Sequence, residues 1–535
     1  MVSSLCTCIL FSIGSHKREN HVCWGGYFSK YPDDIIPAND TYVNQIELEK
    51  AWDISTGKDS VSIGIVDSGI SNTPYDFSSS LDTSLSVDCL NLSRSPFVDV
   101  VGHGTRVAGI VGAKGDNSTS KSGIMWDSNI VSLRADDDTI DHCESPEAVI
   151  NAVLYAENHN IPIINFSGGF GPLGDAPITP EQATALAIAI SLYSGLFVCA
   201  AGNSGVEIGT NNNILYPQMF DLDNIIVVGS VDSNDYKKSY SNYSSTYVDV
   251  FAPTDIATVY SGSSTGTQTF THTSCSSPVV AGIAGLLKSF NPNLATSQLK
   301  DAILNNIDYT GDVYNYCTSH GRVNPYKALQ SVLPYVSVGQ QFSSFYPLEA
   351  GDHHFYRIGA SAGDYSFYNT SSLNLTASLY SDIQSAPLVS GNSNGSGLLF
   401  SYAFTSPVTY YLKIENNSNI LSSYSIDSTP TQHIHSYSSS YLWRNNRKHE
   451  AICSCGASQL RGHVINSGGN MCILCGGIAD MGIIGPLNYI APLSILNDSY
   501  ILSNGVIVLG NLDYNLYLSG ILSLTEIYTC GGITL

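Results

Sequence analysis

A carboxylate, an imidazole and a hydroxyl occur in that order along the chain, each in a setting that presents it. Asp67 closes the apolar run Val61–Val66 (VSIGIV) and is followed by Ser68 and Gly69. His103 lies between Gly102 and Gly104 at the start of a run of small residues, GHGTRVAGI. Ser274 stands in TSCSSPVVAG, where Pro278 falls in the first turn of an expected helix, so its hydroxyl sits near unpaired amides and the positive end of a helix dipole. Such a trio can run acyl transfer: the hydroxyl attacks a carbonyl, the imidazole takes its proton, and the carboxylate orients the ring and stabilises its cation. Each residue alone also has an ordinary structural explanation, a turn cap for Asp67, a packed imidazole for His103 and a helix cap for Ser274. Three such settings in one chain are harder to explain separately.

The elements that must bring these groups together read as an α/β domain with a parallel sheet and helices on both faces. Between about residues 45 and 332, short, nearly uniformly apolar runs alternate with helical patterns. The expected strands are 61–66, 129–135, 161–166, 196–200 and 225–228, apolar throughout because both faces are covered. The expected helices are 145–159 (Ser145 as cap, Pro146 first), 181–193, 277–290 and 297–306. Asp67 then falls at the carboxyl end of a strand, where open α/β sheets carry their sites. The alternation stops after Leu329, and residues 336–426, rich in Ser, Tyr and Asn with period-two apolar positions, predict a β-sandwich. Residues 1–44 are read as an N-terminal extension, 427–446 as a polar linker, 447–480 as a cysteine-rich segment and 481–535 as a β-rich tail without assignment.

The segments IGIVDSGI, GHGTRVAGIVG and TSCSSPVVAG resemble the signature blocks of the subtilase family, peptidase family S8, whose triad runs Asp, His, Ser along the chain. A fourth block, Ala200-Ala201-Gly202-Asn203, is similar to the family's AAGN segment, and the likeness implies that Asn203 and the Ser274 amide bind the oxyanion. It also implies that Ser167, Gly168, Gly169 and Gly202 contact substrate. On this resemblance the chain is a serine endopeptidase acting on proteins or peptides, with no cofactor for catalysis and calcium as a structural ion. His272 stands where the family has glycine and Cys275 where Met or Ala is common, departures that keep a second reading open, a catalytically silent relative used for binding. Residues 336–426 resemble the β-sandwich modules appended to secreted bacterial proteases.

Composition narrows the partners. With 22 Lys plus Arg against 45 Asp plus Glu, the formal charge of −23 repels nucleic-acid phosphates and anionic lipid alike. No apolar run reaches the roughly 18 residues that a spanning helix needs. Low charge, abundant Ser, Tyr, Gly and Asn, and the resemblance point to a secreted or cell-surface bacterial protein, although Leu5–Gly14 has no basic residue before it and makes a weak signal peptide. Thirteen cysteines, an odd number, leave at least one outside any disulfide. Cys453, Cys455, Cys472 and Cys475, each pair followed by Gly, have the layout of two knuckles on one structural zinc; disulfides or free thiols are the alternatives.

Overall fold

The computed structural model describes residues 27–35, 40–137, 143–405 and 409–430, and the strands 20–24, 437–445, 448–453, 458–462, 500–501 and 507–508. Its centre is a nine-stranded sheet in the order 308–309, 321–322, 250–253, 225–231, 196–200, 163–166, 62–67, 129–134, 87–88. All neighbours are parallel except the short outer pair 308–309 and 321–322. Strand Ser62–Asp67 is followed by a strand on one side (129–134) and then by one on the other (163–166), so the chain switches direction across it. A crevice opens at the carboxyl end of such a strand, and Asp67 is its last residue.

The alternation of side chains along this strand explains why it is apolar throughout. Ile63 and Ile65 join the cluster under helices His103–Gly112 and Thr273–Phe290, while Val66 joins Val131, Leu133 and Ile164 under helices Pro146–Asn158 and Pro180–Leu192. Of the residues in helix Thr273–Phe290 all but Lys288 are buried, as expected of a helix that is apolar on every side. Gly285 lets it lie against the sheet, since a Cβ there would stand 2.2 Å from Met125 Sδ and 2.8 Å from Ile63 Cδ1.

Three local expectations differ from what is observed. Helix Thr273–Phe290 starts four residues before Ser277, so Pro278 sits inside it rather than in its first turn. Proline brings no N–H to the Ser274 carbonyl, and the Ser167 hydroxyl donates to that carbonyl instead, at 3.3 Å. Ser145 is the cap of its helix by position but makes no side-chain capping bond; the capping box belongs to the next helix, where Thr179 and Gln182 bond reciprocally at 3.2 and 3.0 Å. Finally, Tyr31 and Ile35, within the stretch expected as an extension, are buried in the core of the α/β domain.

Beyond residue 332 two further sheets share one apolar core. One has strands 335–337, 353–359, 409–416, 374–380 and 389–394 in that order, the other 341–343, 425–430, 363–369 and 397–404. Leu375, Leu379, Leu412, Ile414, Phe367 and Phe400 fill the space between. Strand Ser425–Pro430 carries this unit into the stretch expected as a linker, and strand Tyr437–Asn445 occupies more of it, paired with Lys448–Cys453. The unit docks at the amino ends of the parallel strands: Lys58 pairs with Asp352 at 3.0 Å, His353 Nε2 meets the Asp53 carbonyl at 3.1 Å, and Phe345 packs on Phe290. The switch-point crevice is at the other end. Cys455, Cys472, Cys475 and the side chain of Cys453 lie outside the described residues. Among the described residues, Cys89, Cys199, Cys275 and Cys317 are buried free thiols.

Candidate active site

Strand Ser62–Asp67 delivers Asp67 to the crevice as a buried carboxylate, and helix His103–Gly112 begins directly above it. His103 Nδ1 lies 2.8 Å from Asp67 Oδ1 and 3.0 Å from Oδ2. That contact requires Nδ1 to carry the proton, which leaves Nε2 as the basic face of the ring. Close approach is possible because Gly104 has no Cβ; one would stand 2.2 Å from the Gly69 carbonyl.

Two residues not anticipated from the sequence hold this pair. Asp99 caps the helix from the preceding loop, accepting from the Gly102 and Thr105 amides at 2.7 and 2.9 Å and from the Thr105 hydroxyl. Ser68 Oγ donates to Asp99 at 2.8 Å and accepts from the Gly104 amide at 3.0 Å, while its own N–H donates to Asp67 at 2.8 Å. The signal available was an acidic residue four positions before His103, at a helix start.

Helix Thr273–Phe290 packs against helix His103–Gly112, and Ser274 is its second residue, nearly buried. The Ser274 hydroxyl donates to the Ser167 carbonyl at 3.2 Å, and among the described residues no hydrogen bond joins it to His103. Its backbone N–H, in the first turn, has no intrahelical partner. Asn203 stands opposite, with its Oδ1 held by the Thr273 amide at 3.0 Å and the Thr273 hydroxyl at 2.8 Å. Asn203 itself is exposed. A pocket of about 140 Å³ opens beside it, lined by Ser167, Gly168, Gly169, Asp175, Gly202, Asn203 and neighbours. The residues expected to contact substrate therefore share one cavity wall.

His272, just before the helix, adopts φ 75° and ψ 179°, a conformation that belongs to glycine. It is held there by Thr271 at Nδ1, 2.8 Å, by the Tyr240 hydroxyl at its amide, 3.2 Å, and by the Tyr240 ring. Its ring thus packs against that of Tyr240 at a tilt of 46°, centroids 4.5 Å apart. Cys275 is fully buried and burial pushes its thiol up to about 12, so it fills space and is not a nucleophile.

The electrostatics favour the imidazolium. Burial works against it, but the Asp67 charge and hydrogen bond, with Glu144 adding and Arg106 opposing, raise His103 to about 9. Glu144, also missed in the sequence, has a carboxylate oxygen within 4.8 Å of both the Asp67 and His103 side-chain atoms. Burial first, then the Asp67 charge, pushes Glu144 up to about 8.

A parallel α/β sheet carrying an Asp–His pair at its switch point, beside a serine at the mouth of a buried helix, has the architecture of a serine-type endopeptidase. The subtilase (peptidase S8) family model matches residues 58–326. The chain belongs to the subtilase family, and it is a subtilisin-like serine-type endopeptidase. It is 34% identical over 301 residues to thermitase of Thermoactinomyces vulgaris, covering 56% of this chain and 99% of that protein. It is 33% identical over 272 residues to subtilisin DY of Bacillus licheniformis, covering 50% and 91%. To the thermophilic serine proteinase of Bacillus sp. strain AK1 it is 31% identical over 300 residues, covering 54% and 69%. Among the described residues no helix is long and apolar enough to cross a membrane.

Proposed function

We propose that Ser274, His103 and Asp67 are the catalytic triad with which this chain hydrolyses peptide bonds in proteins outside the cell. The observation that carries the reading is the His103 Nδ1 to Asp67 contact of 2.8 Å at the switch point, which fixes the tautomer a general base needs. A rotation about the Ser274 Cα–Cβ bond releases its hydroxyl from the Ser167 carbonyl and turns it toward His103 Nε2. Such bonds are commonly long or absent until substrate binds. Ser274 Oγ then attacks the scissile carbonyl carbon as His103 takes the hydroxyl proton. Asn203 Nδ2 and the Ser274 N–H hold the oxyanion. His103 next gives its proton to the departing amine, leaving an acyl-enzyme that water opens by the reverse relay. Hydrolysis of unfolded casein by the purified protein, beside Ser274→Ala, tests this: activity should vanish in the variant, and equal rates in the two would overturn the assignment in favour of a silent, binding relative.

Calcium is proposed as a structural ion only. Asp76 is fully buried, its Oδ1 accepting from Asn117 at 2.8 Å and its carboxylate lying beside Ser120, while Asp34 Oδ2 is buried without a partner. Burial, together with Asp33 and Asp76, pushes Asp34 up to about 6. Hard oxygen donors lacking a counter-charge fit calcium, and Asp76, Asp34 and Ser120 are the residues that would hold it.

A further inference from the structure

Strand Thr267–Phe270 pairs with strand Ile256–Val259, and its last residue sets a ring beside the imidazole: Phe270 and His103 are T-shaped, centroids 5.2 Å apart. With the triad proposed above, the departing amine takes its proton from His103, so the chain that leaves Phe270 borders the amine side of the scissile bond. The 140 Å³ pocket is lined by Thr273 and by the residues around Ser167 and Gly202, and neither Phe270 nor His272 belongs to that lining. His272 therefore stands off the pocket, two residues before Ser274, on the side where the amine half of a substrate lies.

The side chain of His272 is exposed, yet its backbone is fixed on both flanks. Besides the bond from its amide to Tyr240, its carbonyl accepts from the Cys275 amide at 3.0 Å and from the Thr254 hydroxyl at 3.2 Å. Tyr240 is anchored in turn, its carbonyl accepting at 2.7 Å from the Gly205 amide, in the loop that carries Asn203. A backbone conformation that glycine adopts freely is thus imposed on a residue with a ring. Strain of this kind persists where the surroundings over-determine it, and it gathers at ligand clamps. What it provides here is the tilted His272–Tyr240 ring pair at the cleft. Lys238, 5.8 Å from the centre of the Tyr240 ring, is paired with Asp255 at 2.9 Å, so ring contact rather than charge is the recognition this patch offers. Aromatic rings so placed favour a further ring in an offset or edge-to-face contact. Resting on the endopeptidase reading above, we propose that His272 is a specificity-determining residue that, with Tyr240, takes an aromatic side chain from the first residue after the scissile bond.

The test isolates the amine side. An N-blocked peptide ester acylates Ser274, and the acyl-enzyme is divided between water and an added amino-acid amide. In the second branch the amine nitrogen bonds to the acyl carbon, the ester bond to Ser274 Oγ breaks, and the amine's proton returns through His103 to that oxygen. The ratio of peptide amide to acid, read by mass in one tube, cancels any change in overall rate. Phenylalaninamide and tyrosinamide should capture the acyl group roughly three- to tenfold better than leucinamide. His272→Gly, which suits the backbone, should bring that preference to within about twofold, and His272→Phe should keep it. Equal capture of the phenylalanine and leucine amides by the unsubstituted protein overturns the proposal and leaves the endopeptidase standing. So does an aromatic preference unchanged in His272→Gly, or one lost in His272→Phe as well. Ester turnover that is absent, or that survives Ser274→Ala, refutes the endopeptidase reading and the proposal with it.

Discussion

The charge around His103 makes activity an alkaline function of pH, and the size of the effect can be worked out. A general base must be unprotonated, and this imidazole is raised to about 9 because Asp67 and Glu144 outweigh burial and Arg106. Two pH units below such a value only about 1% of the ring is in the basic form, and at the value about half is, so kcat/KM should rise roughly fiftyfold between pH 7 and pH 9. The assay is the initial rate on a neutral chromogenic peptide at constant ionic strength, fitted for the acid limb of kcat/KM, which reports the free enzyme. Because Glu144 titrates near 8 beside His103, the fitted value belongs to the pair. Glu144→Gln removes a charge that favours the imidazolium, so its limb should lie at lower pH, whereas Arg106→Ala should move the limb upward. A limb centred at or below pH 7, or an upward shift in Glu144→Gln, would refute the reasoning. The same linkage has an opposite sign for stability: a histidine raised above its ordinary 6.5 stabilises the fold fully below that pH, and the contribution is lost as pH climbs through about 9. Activity should therefore grow as this part of the stability falls away.

Asn203→Ala removes the proposed oxyanion donor and should lower kcat by about two to three orders of magnitude with little change in KM, read by steady-state kinetics on the same peptide. His272→Gly relieves a backbone conformation costing ~1–3 kcal/mol, set against the added freedom of glycine in the unfolded chain, and should stabilise by about 1 kcal/mol in thermal unfolding of the Ser274→Ala background. A chelator should lower the thermal midpoint of that background by several degrees, with calcium restoring it; in Asp76→Asn the chelator should have little effect.

What the sequence made legible and what it hid divide along physical lines. The strand ending in Asp67, the glycines around His103 and the serine helix are written in contiguous residues, since turn chemistry and burial on both faces act over a few positions. The four blocks could be read for the same reason. Glu144 is different. In the sequence it is only the residue before a helix cap, and nothing local announces that it approaches His103; that follows from strands 129–134 and 163–166 flanking strand 62–67, which brings the loop after one against the glycines after the other. Asp99 and Ser68 belong to the same kind, residues whose work exists only once two loops meet. Pro278 misled in the opposite direction, because a local rule placed it in a first turn while Ser167, more than a hundred positions away in the chain, supplies the donor that lets the helix begin earlier. The chemistry of the site is thus carried by local words, but its charge, and with it the expected pH of action, is set by residues that topology alone brings together.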